Sequence, residues 1–283
     1  MKLAKGVVFF FLMGMMGACF NPPEFPIEPE IGFQSLQFKK SGNAAKDTLI
    51  LIINFKDGDG DLGINEQDPT FVSYPFHPID YFLAKDRELI KVSTEKVYDD
   101  LPPLIKVDAG QSGKLVTVRT RNNPDYGNLP EYNLYPCISY NYDYDSIYVS
   151  EENKSIFDNS YSIIDTITSS NPANPSIYIL LDTFYYETNL NHYNITVQFE
   201  TKNSDGSYSE FDWQKEYCTT FDGRFPVLTE NNKVPLEGTL RYDMKSKGFI
   251  AEFGGKTIRL KVQIKDRALH LSKPIFTNDV TIN

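Results

Sequence analysis

An alternation of apolar and polar residues with a period of two is the feature that most constrains how this chain folds. The clearest run is IRLKVQI at 258–264, and a second spans 195–199. Successive side chains of a β-strand point to opposite faces, so each run predicts a strand with one buried face. The second run is followed by the turn sequence NSDG at 203–206 and by renewed alternation at 211–213. This arrangement predicts a β-hairpin.

The rest of the chain has the same character. Short apolar or alternating segments between clusters of Pro, Gly, Asn and Asp predict further strands at 33–38, 49–53, 115–119, 177–181, 236–244 and 275–282. Only 91–101 favours a short helix, which the prolines at 102–103 would end. Many short strands with one apolar face are most economically buried by packing two sheets face to face. We therefore predict an all-β fold, an immunoglobulin-like β-sandwich with a large insertion.

The order of these strands predicts one elaborated domain at 32–283. Residues from about 70 to 190 lack sustained alternation and are rich in Tyr, Asn, Pro and Asp, which favours an insertion between the early and late strands of a single sandwich. Two tandem sandwiches that divide near residue 140 are the alternative. No internal repeat is visible in the sequence to support that alternative, so we prefer the single domain.

The N-terminus has the layout of a secretory signal. Two lysines precede an apolar stretch at 6–16, which is shorter than the roughly 20 residues that a membrane span needs. Small residues at 17–18 stand directly before Cys19 and resemble the lipobox of bacterial lipoproteins, in which the cysteine is acylated and becomes the first residue of the mature chain. We predict that 1–18 is a lipoprotein signal peptide and that Cys19 is lipidated. An ordinary signal peptide with a free cysteine is the alternative.

Residues 19–31 predict a semi-rigid tether. Four prolines in FNPPEFPIEPE at 20–30 favour extended polyproline geometry and exclude a regular helix. A spacer of this kind behind a lipid anchor would hold a folded body away from the bilayer. We therefore expect a protein that is attached to the lipid bilayer of the outer membrane through acylated Cys19.

An acidic loop follows the strand that ends near residue 55. Asp57, Asp59 and Asp61 alternate with two glycines in FKDGDGDLG. Three carboxylates this close repel one another, but glycines let the backbone curl so that all three can face one hard cation with six to eight oxygen ligands. The loop therefore predicts a structural calcium site. A solvated acidic turn is the alternative, because Asp-Gly is common in hairpins.

Further ligands are predicted by comparison with the twelve-residue calcium loop of helix-loop-helix proteins. Gly63 would offer a carbonyl, and Asn65 and Asp68 stand at two later ligand positions. The match is partial, because Leu62 replaces the turn glycine and strands flank the loop. In an immunoglobulin-like sandwich the loop at 265–272 lies at the same end. Asp266 is therefore predicted to complete the ion shell, with Arg267 pairing with the aspartates as the other hypothesis.

Two further candidate sites involve cysteine and tyrosine. Removal of Cys19 leaves Cys137 and Cys218, an even pair that could form a disulfide in an oxidising compartment, although the sequence leaves open whether the sulfurs meet. The stretch at 132–148 is rich in tyrosine, a residue suited to protein or sugar contacts. The candidate binding surface consists of Tyr132, Tyr135, Tyr140, Tyr142, Tyr144 and Tyr148. Simple coverage of the sandwich by alternate tyrosines is an equal alternative.

Charge and motifs narrow the functional classes. The chain has Lys+Arg 28 against Asp+Glu 38, a net charge of -10, and no dense basic stripe, which argues against nucleic acid as a partner. No nucleophile elbow, zinc-protease motif, Walker loop or dinucleotide fingerprint is present in the sequence. The paired carboxylates of glycosidases meet only in the fold and leave no motif. We predict a non-catalytic protein.

The combination of lipobox, proline tether, FKDGDGDLG, FDGRFPVL at 221–228 and KDRALHLS at 265–272 resembles a family of uncharacterised outer-membrane lipoproteins of Bacteroidota. The resemblance spans most of the chain and implies export and lipidation, with no known reaction. It also implies a position that faces the cell surface, and it implies partners, since such lipoproteins often accompany outer-membrane β-barrels or other lipoproteins in uptake, secretion or barrel assembly. We therefore expect an accessory subunit of an outer-membrane complex. A surface glycan-binding lipoprotein is the alternative.

Overall fold

The computed structural model describes residues 24–121, 123, 142–168, 175–229 and 234–283. Within these residues the chain forms fifteen strands and two short α-helices. The strands are β1 Glu30–Lys39, β2 Thr48–Asp57, β3 Ile79–Lys85, β4 Glu88–Glu95, β5 Leu104–Lys106, β6 Lys114–Leu115, β7 Tyr142–Ser150, β8 Ile163–Ile167, β9 Ile177–Thr188, β10 Ile195–Lys202, β11 Tyr208–Phe211, β12 Leu236–Lys245, β13 Thr257–Ile264, β14 Ile275–Phe276 and β15 Val280–Thr281. The helices are α1 Trp213–Tyr217 and α2 Gly248–Phe253. The prediction of an all-β fold is confirmed.

Two antiparallel sheets share one core. The first has the order β1-β2-β12, and the second has the order β11-β10-β13-β14 with β15 also paired to β13. The apolar residues of β13 are at most 1 % exposed, as the period-two pattern predicts. They lie in the same cluster as Leu49, Leu51 and Ile53 of β2, which are fully buried. The two sheets therefore pack face to face and form a sandwich.

Aromatic rings fill one end of this core. Phe199 of β10 lies with its ring centroid 5.5 Å from that of Trp213 and 5.1 Å from that of Phe221. It also stacks on Phe249 and Phe253 of α2, with centroids 6.0 and 5.9 Å away. Trp213 begins α1 instead of continuing the hairpin strand, because Asp212 caps the helix by accepting hydrogen bonds from the next turn.

A third sheet is built entirely from residues 79–188, within the part of the chain where the sequence predicts an insertion. Its order is β6-β3-β4-β5-β7-β9-β8, and β3 also pairs with β9, so the sheet closes on itself. It has its own core, which includes the fully buried Leu83, Val149 and Leu180. Closure leaves fewer free strand edges than an open sheet of the same strands. The inserted segment is therefore a second packed body between β2 and β10.

The helix predicted at 91–101 is wrong. Residues 91–95 belong to β4, which pairs with β3 and β5, and 96–101 form neither helix nor strand. Val92 and Thr94 are buried while Lys91 is exposed, so the local period is two, and β-branched residues favour the strand. Among the described residues, no helix is long and apolar enough to cross a membrane.

Candidate metal centre

The acidic loop leaves the sandwich at the end of β2 and is anchored by its own apolar residues. Leu62 is fully buried in the sandwich core, and the amide of Ile64 donates a hydrogen bond of 3.0 Å to the carbonyl of Phe225. Gly63 has φ +92, and a Cβ there would lie 2.2 Å from the carbonyl oxygen of Pro226. Only glycine suits this backbone conformation and this close approach. The loop is therefore held in one path beside the segment at 225–228.

Three carboxylates from two separate loops meet at this end of the sandwich. One carboxylate oxygen from each of Asp57, Asp61 and Asp266 lies within 4.8 Å of the others. Calcium binds oxygen at about 2.4 Å, so ligands on opposite sides of one ion are about 4.8 Å apart. The spacing fits a single calcium ion. Together with Asp59, whose charge acts on Asp57 and Asp61, these residues form what we call the acidic centre.

Several carboxylate oxygens of the acidic centre lack, among the described residues, the hydrogen-bond partners that buried charges require. Asp57 is 0 % exposed, and neither of its carboxylate oxygens has a hydrogen-bond partner. One buried oxygen of Asp59 and one of Asp61 are also without a partner. A buried carboxylate is strongly unfavourable unless it is paired, hydrogen-bonded or bound to a metal. The residues present therefore fit a divalent cation.

The electrostatics of the acidic centre agree with its geometry. Burial, followed by the negative charges of Asp59 and Asp61, raises the pKa of Asp57 to about 6. Burial and the nearby Asp266 raise the pKa of Asp61, and burial raises that of Asp266. Burial is the largest cause of all three shifts, and Arg267 and His270 offset those of Asp61 and Asp266 only in part. A bound cation would remove this repulsion.

The loop after β13 positions Asp266 and supports Asp61. The amide and the Nδ1 atom of His270 lie 2.7 and 2.9 Å from the two carboxylate oxygens of Asp266. The amide of Ala268 donates to the carboxylate of Asp61 at 3.1 Å. Arg267 donates from Nη1 to the carbonyl of Gly63 at 3.2 Å and forms no ion pair within the described residues. The role of His270 was missed from the sequence, although its spacing of four residues from Asp266 was visible.

Three of the predicted ligands make other hydrogen bonds in this structure. The carbonyl of Gly63 already accepts from Arg267. The side chain of Asn65 accepts from the amide of Gln67 at 3.1 Å, and that of Asp68 accepts from the amide of Thr70 at 2.9 Å. Asn65 and Asp68 therefore stabilise local turns in this structure. Asp266, from the distant loop, joins Asp57 and Asp61 instead.

The end of the proline-rich tether lies against the acidic loop. A Cβ at Gly58 would lie 2.4 Å from the carbonyl oxygen of Phe25 and 2.6 Å from that of Pro26. The ammonium group of Lys56 also lies 5.2 Å from the centre of the Phe25 ring. Gly58 stands between Asp57 and Asp59, so the tether contacts the backbone that carries two residues of the acidic centre.

The raised pKa of Asp57 predicts the pH dependence of stability without calcium. The folded protein holds this proton up to about pH 6, whereas the ordinary pKa is 3.8. Raising the pH through this window therefore favours the unfolded state, and we expect the free energy of unfolding to fall by about 2 kcal/mol after allowance for solvent screening. Chemical denaturation in chelator at several pH values measures it. Asp57→Asn, which cannot ionise, should show a shallower fall over the same window, and equal slopes would contradict the assignment.

The other candidate sites are only partly within the described residues. Cys19, Cys137, Tyr132, Tyr135 and Tyr140 lie outside them. Cys218 is disulfide-bonded, and the described residues include no second cysteine, so its pairing with Cys137 stays a prediction. Tyr142 is buried against Tyr185, Tyr148 is half-buried, and Tyr144 is 66 % exposed. Within the described residues, the three tyrosines therefore do not form one exposed surface.

No protein-family model, curated protein or solved structure was found to match this chain. Function is therefore inferred from the chemistry of the residues themselves. The acidic centre contributes most, because buried carboxylate oxygens converge there and several of them have no hydrogen-bond partner within the part of the chain that the structure describes.

Proposed function

We propose that this protein is a calcium-binding, lipid-anchored and non-catalytic accessory subunit of an outer-membrane complex. The observation that carries the calcium site is the buried, unpartnered carboxylate of Asp57, which lies close to Asp61 and Asp266. Ligands that consist only of carboxylate and other oxygens favour a hard cation. Calcium suits the site better than magnesium because a loop of this kind supplies several carboxylates without strict octahedral geometry.

The non-catalytic assignment is supported by what the buried histidine does. His77 is 2 % exposed, with Nε2 2.7 Å from the carboxylate of Asp80, and its carbonyl accepts from Asn189 at 2.8 Å. Asp80 also pairs with Lys91 at 2.9 Å. These contacts join β3 to the end of β9 and place the imidazole away from solvent. A histidine in this setting holds the inserted sheet together.

The proposed fold family is an immunoglobulin-like sandwich. The order β1-β2-β12 opposite β11-β10-β13-β14 corresponds to strands A, B and E opposite C′, C, F and G of that fold. On this interpretation the inserted closed sheet replaces the connection between strands B and C. The acidic loop then lies at the root of the insertion, where calcium would stiffen the junction between the sandwich and the inserted body.

Lipidation is tested by substitution of the predicted acylated cysteine. We expect Cys19→Ser to abolish incorporation of an alkyne-labelled fatty acid and to move the protein from the detergent phase to the aqueous phase, because the lipid is the predicted attachment. Cys137→Ser is the matched control, since it removes a cysteine and leaves the lipobox intact. Undiminished labelling of Cys19→Ser would contradict the lipoprotein assignment.

The subunit role is tested by purification of the tagged, lipidated protein from native membranes in mild detergent with calcium. We expect a stoichiometric outer-membrane partner in mass spectrometry. Purification of the protein alone would contradict the subunit proposal and favour the glycan-binding alternative. In that case Tyr144, the exposed tyrosine on β7, is the first residue to substitute in a glycan-binding assay.

A further inference from the structure

A cavity of about 950 Å³ opens beside the acidic loop. It is lined by the loop segment 64–68, by the segment 224–229 and by Arg267. Ile64 and Phe71, both buried, contribute apolar wall. This volume is in the range that small organic ligands occupy in proteins. We call it the arginine cavity, because its lining includes the two guanidinium groups of Arg224 and Arg267.

Both guanidinium groups have hydrogen-bonding capacity that the protein leaves unused. Arg224 donates from Nη2 to the carbonyl of Phe71 at 2.9 Å, but its buried Nε has no acceptor. Arg267 donates from Nη1 to the carbonyl of Gly63, but its buried Nη2 has no acceptor. Neither arginine forms an ion pair with any part of the chain that the structure describes. Two positive charges therefore line one cavity, and each guanidinium group donates a hydrogen bond to a backbone carbonyl.

Two guanidinium groups without an ion pair in the described part of the chain favour an anionic ligand. A guanidinium group stays charged at all physiological pH values, and its donors match the two oxygens of a carboxylate in a planar fork. Burial lowers the pKa of Arg224, and the charge of Glu66 offsets this in part. Glu66 is exposed, so it screens Arg224 without pairing with it. A ligand carboxylate would supply a direct ionic partner for both guanidinium groups, which neither has among the described residues.

The surroundings favour a monoanion with a carbon skeleton. Glu66 and Asp68 line the same cavity, and their negative charges would repel a phosphate dianion more strongly than a carboxylate. Phe71, Phe225 and Leu228 supply apolar surface for the rest of the molecule. The same cavity therefore offers guanidinium groups to the acid group of a ligand and apolar side chains to its carbon skeleton.

We propose that the arginine cavity binds an organic carboxylate, whose acid group pairs with Arg224 and Arg267 and whose apolar part lies against Phe71. This binding site is separate from the acidic centre. None of the four aspartates of the acidic centre is among the described residues that line the cavity. The ligand class follows from the lining and does not depend on calcium binding or on lipidation.

The test compares phenylacetate with phenylacetamide, which has the same shape and no charge. The full mature chain is titrated in calcium-containing buffer, and binding is followed by calorimetry and by ligand-detected NMR. We expect phenylacetate to bind about ten-fold or more tightly than phenylacetamide, because an ionised partner strengthens hydrogen bonds to arginine. Equal binding of the two compounds, or no binding of phenylacetate at millimolar concentration, would overturn the proposal.

Substitution of one cavity arginine tests whether phenylacetate binds in the arginine cavity. Arg224→Gln is expected to weaken phenylacetate binding about ten-fold or more, whereas Arg241→Gln serves as the matched control because Arg241 is exposed and pairs with Asp243 on β12. Unchanged affinity in Arg224→Gln would place the ligand elsewhere and overturn the proposal. Inorganic phosphate is the third ligand, and tighter binding of phosphate than of phenylacetate would refute the preference for a carboxylate. If Arg224→Gln does not fold, the comparison of the two phenyl compounds on the unaltered protein still decides.

Discussion

Calcium is expected to raise the melting temperature of chelator-treated protein by about 5–10 °C when free calcium is about 100 times its dissociation constant. The reason is mass action, because the unfolded chain does not hold Asp57, Asp61 and Asp266 together and so binds the ion poorly. The native state brings their oxygens within 4.8 Å. Differential scanning calorimetry in calcium and in chelator measures the difference. Magnesium at the same concentration should give a smaller shift.

Asp57→Asn separates the acidic centre from unspecific ion effects. This variant keeps the size of the side chain and removes a charge that is 0 % exposed and has no partner. We expect it to lose most of the response to calcium and, in chelator at neutral pH, to melt no lower than the unaltered protein. Asp100→Asn is the control, since Asp100 is an exposed aspartate outside the acidic loop. An undiminished calcium response in Asp57→Asn would rule out the acidic centre as the binding site.

Phe199→Ala is expected to lower the free energy of unfolding by about 3–5 kcal/mol. Phe199 is 1 % exposed and contacts aromatic rings of both helices as well as Phe221. Removal of the ring loses the burial of a large apolar surface and leaves a cavity that rigid neighbours fill only in part. Urea denaturation of the calcium-loaded protein measures the loss.

The matched control for this core substitution is Phe276→Ala. Phe276 of β14 is 48 % exposed, and the guanidinium of Arg259 lies 4.4 Å from the centre of its ring. Less apolar surface is lost, so the expected change is about 1 kcal/mol. A loss in Phe199→Ala no larger than that in Phe276→Ala would contradict the stabilising role assigned to the buried ring of Phe199.

The strands of the sandwich could be predicted because each has one strongly apolar face. The run at 258–264 is β13, and the hairpin around 203–206 joins β10 to β11, with Gly206 at φ +86 in the turn. Predicted strands at 33–38 and 236–244 lie within β1 and β12. The segment 275–282 was predicted as one strand, but it forms two strands of two residues each. Alternation of apolar and polar residues indicates that one face of a strand is buried. It does not show at which residue the pairing with a neighbouring strand ends.

The sequence predicts strands at 115–119 and 177–181 but not the inserted sheet as a whole, because its strands bury their residues against one another within a closed sheet. β3 has buried residues at successive positions from Asp80 to Ala84, so a period of two is hidden. The short β5 and β6 have two or three residues each and carry no periodicity at all. β5 also pairs in parallel with β7, a contact between strands far apart in the sequence that only the complete fold produces.

The sequence by itself determined that this chain is rich in strands, and it located the acidic loop with three of the four aspartates of the acidic centre. These are local properties, since one strand's alternation and one loop's spacing are visible within about ten residues. Asp266 was also predicted as a neighbour of the acidic loop, but only through an assumed fold. Only the tertiary structure decided that Asn65 and Asp68 hold local turns and that Arg224 and Arg267 line one cavity. These outcomes depend on which loops the packing of two sheets brings together, and that packing is set by apolar burial along the whole chain.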